Sequence, residues 1–198
     1  MTWILRFEIL EWWHAGSGLT AGGKGGAAVS RGPDGLPWLP GRTVRGLVRE
    51  ALVEAAALKH PEVPSDLAPW LCGGDDDTDD LRRRRFNSEP GHGTFGSAEL
   101  PEDWRRWARS PAGRVLVAEL FGSLAATAIQ DGAAKEHSLR SMEVTAPMTL
   151  EAILRVEGTP PADPQAALAA ALPLLRGLGA GRHRGLGRVR VTVRETRA

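Results

Sequence analysis

Cysteine is almost missing from this chain of 198 residues: there is one, Cys72. A single thiol excludes an internal disulfide and any zinc site built on clustered cysteines. Tyrosine is missing altogether. The aromatic signature that stacks bases on the sheet of an RRM is missing too, and the seven tryptophans cluster away from the final strand, so a bound nucleic acid would be held through its phosphates. No apolar run approaches the roughly 20 residues that span a bilayer. The opening stretch, MTWILRFEILEWWH, carries Glu8 and Glu11 where a signal peptide would be apolar. A soluble, cytoplasmic protein is the expectation, with no membrane partner. Three catalytic signatures are also lacking: the GxxxxGK[ST] phosphate loop, the HExxH helix and the Gly-x-Ser-x-Gly elbow, since residues 16–18 read only Gly-Ser-Gly. An excess of charge of one sign is lacking too. The net charge is +1, so a polyanion-binding surface must come from how charge is distributed.

That distribution is uneven. Residues 176–198 hold seven arginines and one acid, Glu195, while residues 75–80, DDDTDD, hold five aspartates. From Arg176 the chain reads RGLGAGRHRGLGRVRVTVR. Glycines 177, 179, 181, 185 and 187 space out Arg182, His183, Arg184 and Arg188. A strand pattern follows, with Val189, Val191 and Val193 on one face and Arg190, Thr192 and Arg194 on the other. Glycine admits close backbone approach, and arginine offers a permanently charged planar fork that matches phosphate. A glycine-arginine loop feeding a strand suits a polyanion cradle; the plain alternative is an exposed hairpin whose arginines serve solubility.

The length suits one large domain or two small ones, and apolar residues, at 42% of the chain, are enough for a core. Thr2 to Leu10 alternates as a strand, with Trp3, Leu5, Phe7 and Ile9 on one face. Residues 15–35 are rich in Gly, Ala and Ser, and no ordered helix or strand is expected there. Pro37 and Pro40-Gly41 mark a turn. Thr43 is placed to cap a helix reaching about Lys59, with Val44, Leu47, Val48, Ala51, Leu52 and Ala55 as its apolar stripe. Arg42, Arg45 and Arg49 fall on the opposite face, where an anion would relieve the repulsion between 45 and 49, or where they form an ordinary solvated face. Residues 60–93, with the aspartates followed by Arg82 to Arg85, read as an exposed, mobile insertion. A short strand is expected over 93–100, helical packing around Trp104, Trp107 and 115–121, and a polar loop over 132–140. Leu150, Ala152, Leu154 and Val156 alternate as a further strand. Asp163-Pro164 opens a second amphipathic helix, and Pro173 should kink it or shift its start. Trp12 and Trp13, adjacent in sequence, cannot both point inward. The tryptophans are expected to serve packing, in the core or against neighbouring subunits.

The order of elements is strand, helix, strand, insertion, strand, helix, strand. It implies an α+β, ferredoxin-like (RRM-like) fold: an antiparallel sheet with helices on one face, plus loop insertions, in a single domain over 1–198.

Several segments resemble a known family. LPWLPGRTVRGLVREAL (36–52) looks like the proline-glycine turn and first helix of the RAMP superfamily, the CRISPR effector proteins that bind guide RNA. WLCGG (70–74) resembles that family's phenylalanine-glycine element, with Cys72 where phenylalanine is usual. GTFGSAELP (93–101) looks like its next strand. AAKEHSLRSMEVTAPMTLEA (133–152) is similar to the passage from its thumb-like segment, at about 122–146 here, into the third strand. RGLGAGRHRGLGRVRV (176–191) is similar to its glycine-rich loop and last strand. The matches run in the family's order and span nearly the whole chain. Its size is like that of the small backbone subunits of type III effectors, copies of which stack along CRISPR RNA.

The resemblance implies an RNA-binding surface made of four groups. His14, Lys24 and Arg31 fall in the first glycine-rich loop. Arg42, Arg45 and Arg49 fall on the first helix. Lys135, His137 and Arg140 fall in the thumb-like segment, and Arg182, His183, Arg184 and Arg188 in the final loop. The implied partners are CRISPR RNA, target RNA, other RAMP-type subunits and further copies of this chain. Several such subunits cut target RNA with an aspartate three residues before the valine that matches Val29. Here that position is Gly26, so the resemblance implies a subunit of an antiviral effector without its own catalytic aspartate.

Two nuclease readings stay open beside it. One is a metal-dependent endoribonuclease subunit using Asp34 or one of Asp75 to Asp80, with magnesium required for cutting; Asp34 also suits a Pro-Asp-Gly turn. The other is a metal-independent guide-RNA processing nuclease with His14 as general base. No resident metal or other cofactor is expected. A third reading, of another class, is a small-molecule enzyme or protein-interaction module on the same fold.

Overall fold

Why the N-terminal strand lies at the centre follows from its alternation. Trp3, Leu5, Phe7 and Ile9 are each no more than 2% exposed, and both edges of the strand are paired along most of its length. The structure, a computed structural model, describes residues 1–21, 26–74, 89–130, 132–135 and 138–196. In chain order its elements are β1 (Thr2–Ile9), β2 (Gly16–Ala21), β3 (Gly26–Val29), α1 (Gly41–Ala57), α2 (Leu67–Cys72), β4 (Gly93–Phe95), α3 (Glu102–Arg109) and α4 (Pro111–Leu116). There follow a 3-10 turn (Val117–Leu120), β5 (Phe121–Ala126), β6 (Ile129–Gln130), β7 (Ala133–Ala134), β8 (Arg140–Thr145), β9 (Met148–Val156), α5 (Pro164–Ala171), a second 3-10 turn (Leu172–Leu174) and β10 (Val189–Glu195).

Among the described residues the first sheet has the order β10-β1-β9-β4, with every neighbouring pair antiparallel. Ile9 stands opposite Val189 on one side and Met148 on the other. Counting only these four strands in chain order, the spatial order is 4-1-3-2, with α1 between the first two and α5 between the last two. This is the ferredoxin-like arrangement expected from the sequence. Both helices cover the same face. The six residues of the α1 stripe are buried as expected, and so are Ala167, Leu168 and Ala171 of α5, all in one core with Leu150, Ala152 and Leu154 of β9. Asp163 caps α5 by accepting a hydrogen bond from the Gln165 amide at 2.9 Å. Pro173, which has no N–H to give, tightens the end of α5 into the 3-10 turn.

Elsewhere the structure departs from the sequence reading. The stretch 15–35 does form strands: β2 and β3 pair in a second sheet of order β2-β3-β8-β5, and β3 runs parallel to β8 at Ala27 and Met142. Small residues with poor strand propensity pair here because β8 presents a ladder to them. Helix α1 starts at Gly41 rather than after a Thr43 cap. Pro40 holds the cap position, and the Thr43 amide bonds to the Pro40 carbonyl at 2.8 Å. The stretch read as an exposed insertion over 60–93 opens with α2, whose Leu67, Ala68, Leu71 and Cys72 are buried against the core. The acidic and basic blocks that follow, including Asp75 to Asp80, lie outside the described residues. The polar stretch 132–140 holds β7 and the start of β8. Trp104 and Trp107 do not pack inward: they are 61% and 44% exposed. Trp13 is buried and Trp12 exposed, as two adjacent residues of extended chain require. No helix among the described residues is long and apolar enough to cross a membrane.

Candidate nucleic-acid interface

The glycine-arginine segment builds a short stem and a loop. Leu178 donates to the Gly187 carbonyl at 2.9 Å, Val189 donates to the Arg176 carbonyl at 3.1 Å, and Gly177 bridges Arg188 antiparallel. Residues 179–186 close the loop. It docks on the chain just after β1: the Gly187 amide bonds to the Trp12 carbonyl at 2.8 Å, and the Ala180 amide to the His14 carbonyl at 2.9 Å. Gly179 has φ +76°, and a methyl group there would run into that same His14 carbonyl. Glycine is thus needed for backbone to dock on backbone.

The other side of the 12–15 segment is tied to the second sheet. Trp13 and Thr145 exchange backbone hydrogen bonds of 3.0 and 2.7 Å, and the Trp13 indole donates to the Ala146 carbonyl at 3.0 Å. His14 is buried, with Nδ1 at 2.6 Å from the Glu143 carbonyl. A carbonyl only accepts, so Nδ1 carries a proton. The Glu143 carboxylate then accepts from the Val29 amide at 3.0 Å and pairs with Arg31. The Arg31 guanidinium lies over the Phe121 ring, 3.7 Å from its centre. His14 and Arg31, read from the sequence as loop residues facing RNA, therefore meet at Glu143, which no sequence pattern singles out.

The remaining basic residues differ in how far they are engaged. Arg182 pairs with Glu50 of α1, its Nη1 at 2.9 and 3.0 Å from the two carboxylate oxygens. Arg188 stands 3.9 Å from Glu11. Arg49, half-buried, donates to the Gly73 carbonyl at 2.8 Å, just past the end of α2. Below it Cys72 is buried; burial pushes its thiol up to about 11, against the lowering effect of Arg49 and Arg45. The side chains of Arg42, Arg45, Lys135, Arg140, His183 and Arg184 are exposed, and none makes a hydrogen bond or ion pair among the described residues. Lys24 and His137 lie outside the described residues.

Two further features bear on chemistry. Asp34 sits in its turn with Oδ1 accepting from the Leu36 amide at 3.3 Å, while Oδ2 faces Arg105 and Arg109 of α3, each at 3.4 Å. Gly26 opens β3 opposite Ala21. Among the described residues no three of His, Cys, Asp or Glu gather as a metal site. The sheet face away from the helices carries a mixed ladder, with Arg6 and Arg194 on Glu151 at 3.6 and 3.3 Å and Arg190 on Glu8 at 2.9 Å. Several of its charges are matched within the sheet, whereas the basic side chains of the loop, α1 and the 135–140 stretch named above stand open among the described residues.

No family model matches this chain, and no curated protein matches it. Solved structures do. A chain of type III-B Cmr-beta bound to cognate target RNA, solved by cryo-EM, is 12% identical and superposes with a TM-score of 0.68 over 98% of this chain and 97% of that one. The apo state of type III-B Cmr-beta gives 12% identity and 0.70 over the same shares. A chain of a type IV-B CRISPR complex gives 17% identity and 0.58 over 100% of this chain and 92% of that one. The fold is thus shared end to end with chains of type III-B and type IV-B CRISPR complexes, and its first sheet has the ferredoxin-like order expected from the sequence.

Proposed function

We propose that this chain is a guide-RNA-binding backbone subunit of a type III-like CRISPR ribonucleoprotein effector in antiviral defence, without a cutting carboxylate of its own. The observation that carries the reading is the full-length likeness in fold to chains of CRISPR complexes, one of them bound to cognate target RNA. The docked glycine-arginine loop adds chemical sense. His183 and Arg184 project from a loop docked by backbone hydrogen bonds, and Arg42 and Arg45 from the first two turns of α1, as phosphate contacts should. Contacts of this kind read shape and charge and leave sequence to base pairing. On this reading His14, Arg31 and Arg49 act by holding loops in place. Target RNA, other RAMP-type subunits and further copies of this chain are the expected partners. Two placements favour a subunit that does not cut. Gly26 stands where the family's aspartate would be, and the Asp34 carboxylate is engaged by a turn and two arginines.

The test is purification with bound nucleic acid, sequencing of that RNA, and a magnesium-dependent cutting assay on a matching target. Repeat-spacer RNA with no cutting is the expected outcome. Arg182→Ala/Arg184→Ala should weaken binding and flatten the dependence of log K on log salt by roughly 0.7 for each phosphate no longer neutralised. Cutting at regular intervals would overturn the non-catalytic part. Absence of RNA, with no binding at low salt, would overturn the whole.

A further inference from the structure

We propose that Arg176 and Arg182 form a single anion seat against the second half of α1, and that the Glu50 carboxylate occupies this seat until an RNA phosphate displaces it. The proposal deepens the RNA-binding reading above and rests on it.

The two arginines are six positions apart, yet the stem brings them together. Arg176 belongs to the stem, its carbonyl accepting from Val189. The loop then folds back so far that a side chain at Gly177 would meet the Cβ of Arg182 at 3.1 Å. The bare backbone at 177 lets Arg182 lie close against the stem. Two adjoining cavities, of about 790 and 430 Å³, each have both arginines in their walls. Glu50 and Glu54 of α1 close the smaller one.

The occupant of the seat is visible. Both oxygens of Glu50 lie within 3.0 Å of one guanidinium nitrogen of Arg182, a charge-assisted interaction of the kind a phosphate's non-bridging oxygens would make. Both side chains are partly open to solvent, Arg182 at 36% and Glu50 at 45%. An ion pair in such a position contributes little net stability and can be exchanged. Arg176 is exposed, and its side chain has no hydrogen-bond or ion-pair partner among the described residues. The seat therefore holds two permanent positive charges against one bound carboxylate. A phosphodiester could engage both guanidinium groups while Glu50 turns out to water. Glu54 adds negative charge at the same wall, which opposes weakly held anions.

The experiment measures binding of a fluorescein-labelled oligouridylate to the full chain by anisotropy over a salt series. Glu50→Gln should tighten binding by about two- to fivefold, the equivalent of removing one exposed competing ion pair. Arg176→Ala should weaken binding and reduce the salt slope by about 0.7. In an Arg182→Ala background the gain from Glu50→Gln should vanish, since Glu50 acts through Arg182. Weaker or unchanged binding by Glu50→Gln would overturn the proposal, because Glu50 would then be a strut for the loop or irrelevant to it. Unchanged binding by Arg176→Ala would overturn it independently. Failure of the unaltered chain to bind at low salt would instead overturn the RNA-binding reading itself.

Discussion

At the scale of single residues, the loop depends on an atom that is not there. Gly179 combines a left-handed backbone with close approach to the His14 carbonyl. Gly179→Ala should therefore cost at least about 1–3 kcal/mol from backbone conformation alone, with more from impaired docking, read as a lower urea midpoint. Unchanged stability would mean that the loop does not seat as described. Cys72 offers a second residue-scale test. Its thiol ionises near 11 in the fold and at about 9.0 when free of it, so between these values the unfolded chain gives up its proton first. Stability from this group is complete below pH 9 and is lost as the pH rises toward 11. At pH 8 a thiol reagent should react slowly with the native chain and fast in guanidinium; equal rates would refute the burial of Cys72. The sequence pointed to Gly179 as one of five closely spaced glycines. It did not point to Glu50 or Glu143, whose arginine partners lie 132 and 112 residues away along the chain. Nothing local marks a carboxylate for so distant a partner.

At the scale of elements, β3 is the weak member. It meets β8 in register only at Ala27 and Met142, and the Val29 amide is satisfied by the Glu143 side chain instead of by a ladder partner. Glu143→Ala removes that acceptor and the anchor of Arg31, leaving a partly buried donor unpaired at a cost of about 1–3 kcal/mol. Hydrogen exchange should show the Val29 amide losing protection while β1 and β9 keep theirs. Protection retained at Val29 would show that β3 holds by itself. This hairpin was illegible in the sequence because its residues lack strand propensity, and its support comes from elsewhere in the chain. The opposite holds for β1, β9, α1 and α5. Their apolar residues recur at the strand or helix period, and the structure buries the positions which that period marks.

At the scale of the molecule, the two sheets are joined through the 12–15 segment, which touches the final loop on one side and β8 on the other. Trp13 is the pin: it is buried, bonded to Thr145 by backbone and to Ala146 by its indole. Trp13→Ala should cost about 3–5 kcal/mol, as expected for emptying the space of a large buried aromatic. It should also separate unfolding of the second sheet from that of the first, seen as two transitions by circular dichroism and hydrogen exchange. One unchanged cooperative transition would show that the sheets are joined by other means. The same segment carries His14, so the loop that presents Arg182 and Arg184 is positioned by the link between the sheets.

What the sequence determined by itself was the periodic part of the molecule: the strands and helices of the ferredoxin-like core, the order in which they occur, and the presence of an arginine-bearing glycine loop near the sheet's edge. Periodicity and glycine spacing are local properties, and burial acts on them residue by residue. Only the tertiary structure decided which charges are engaged and which stand open. It placed Arg182 on Glu50, Arg31 on Glu143 and Arg49 on the end of α2, and left Arg176, His183 and Arg184 exposed. A charge has the same local signature whether paired or free, and its partner is chosen by where folding brings the distant parts of the chain.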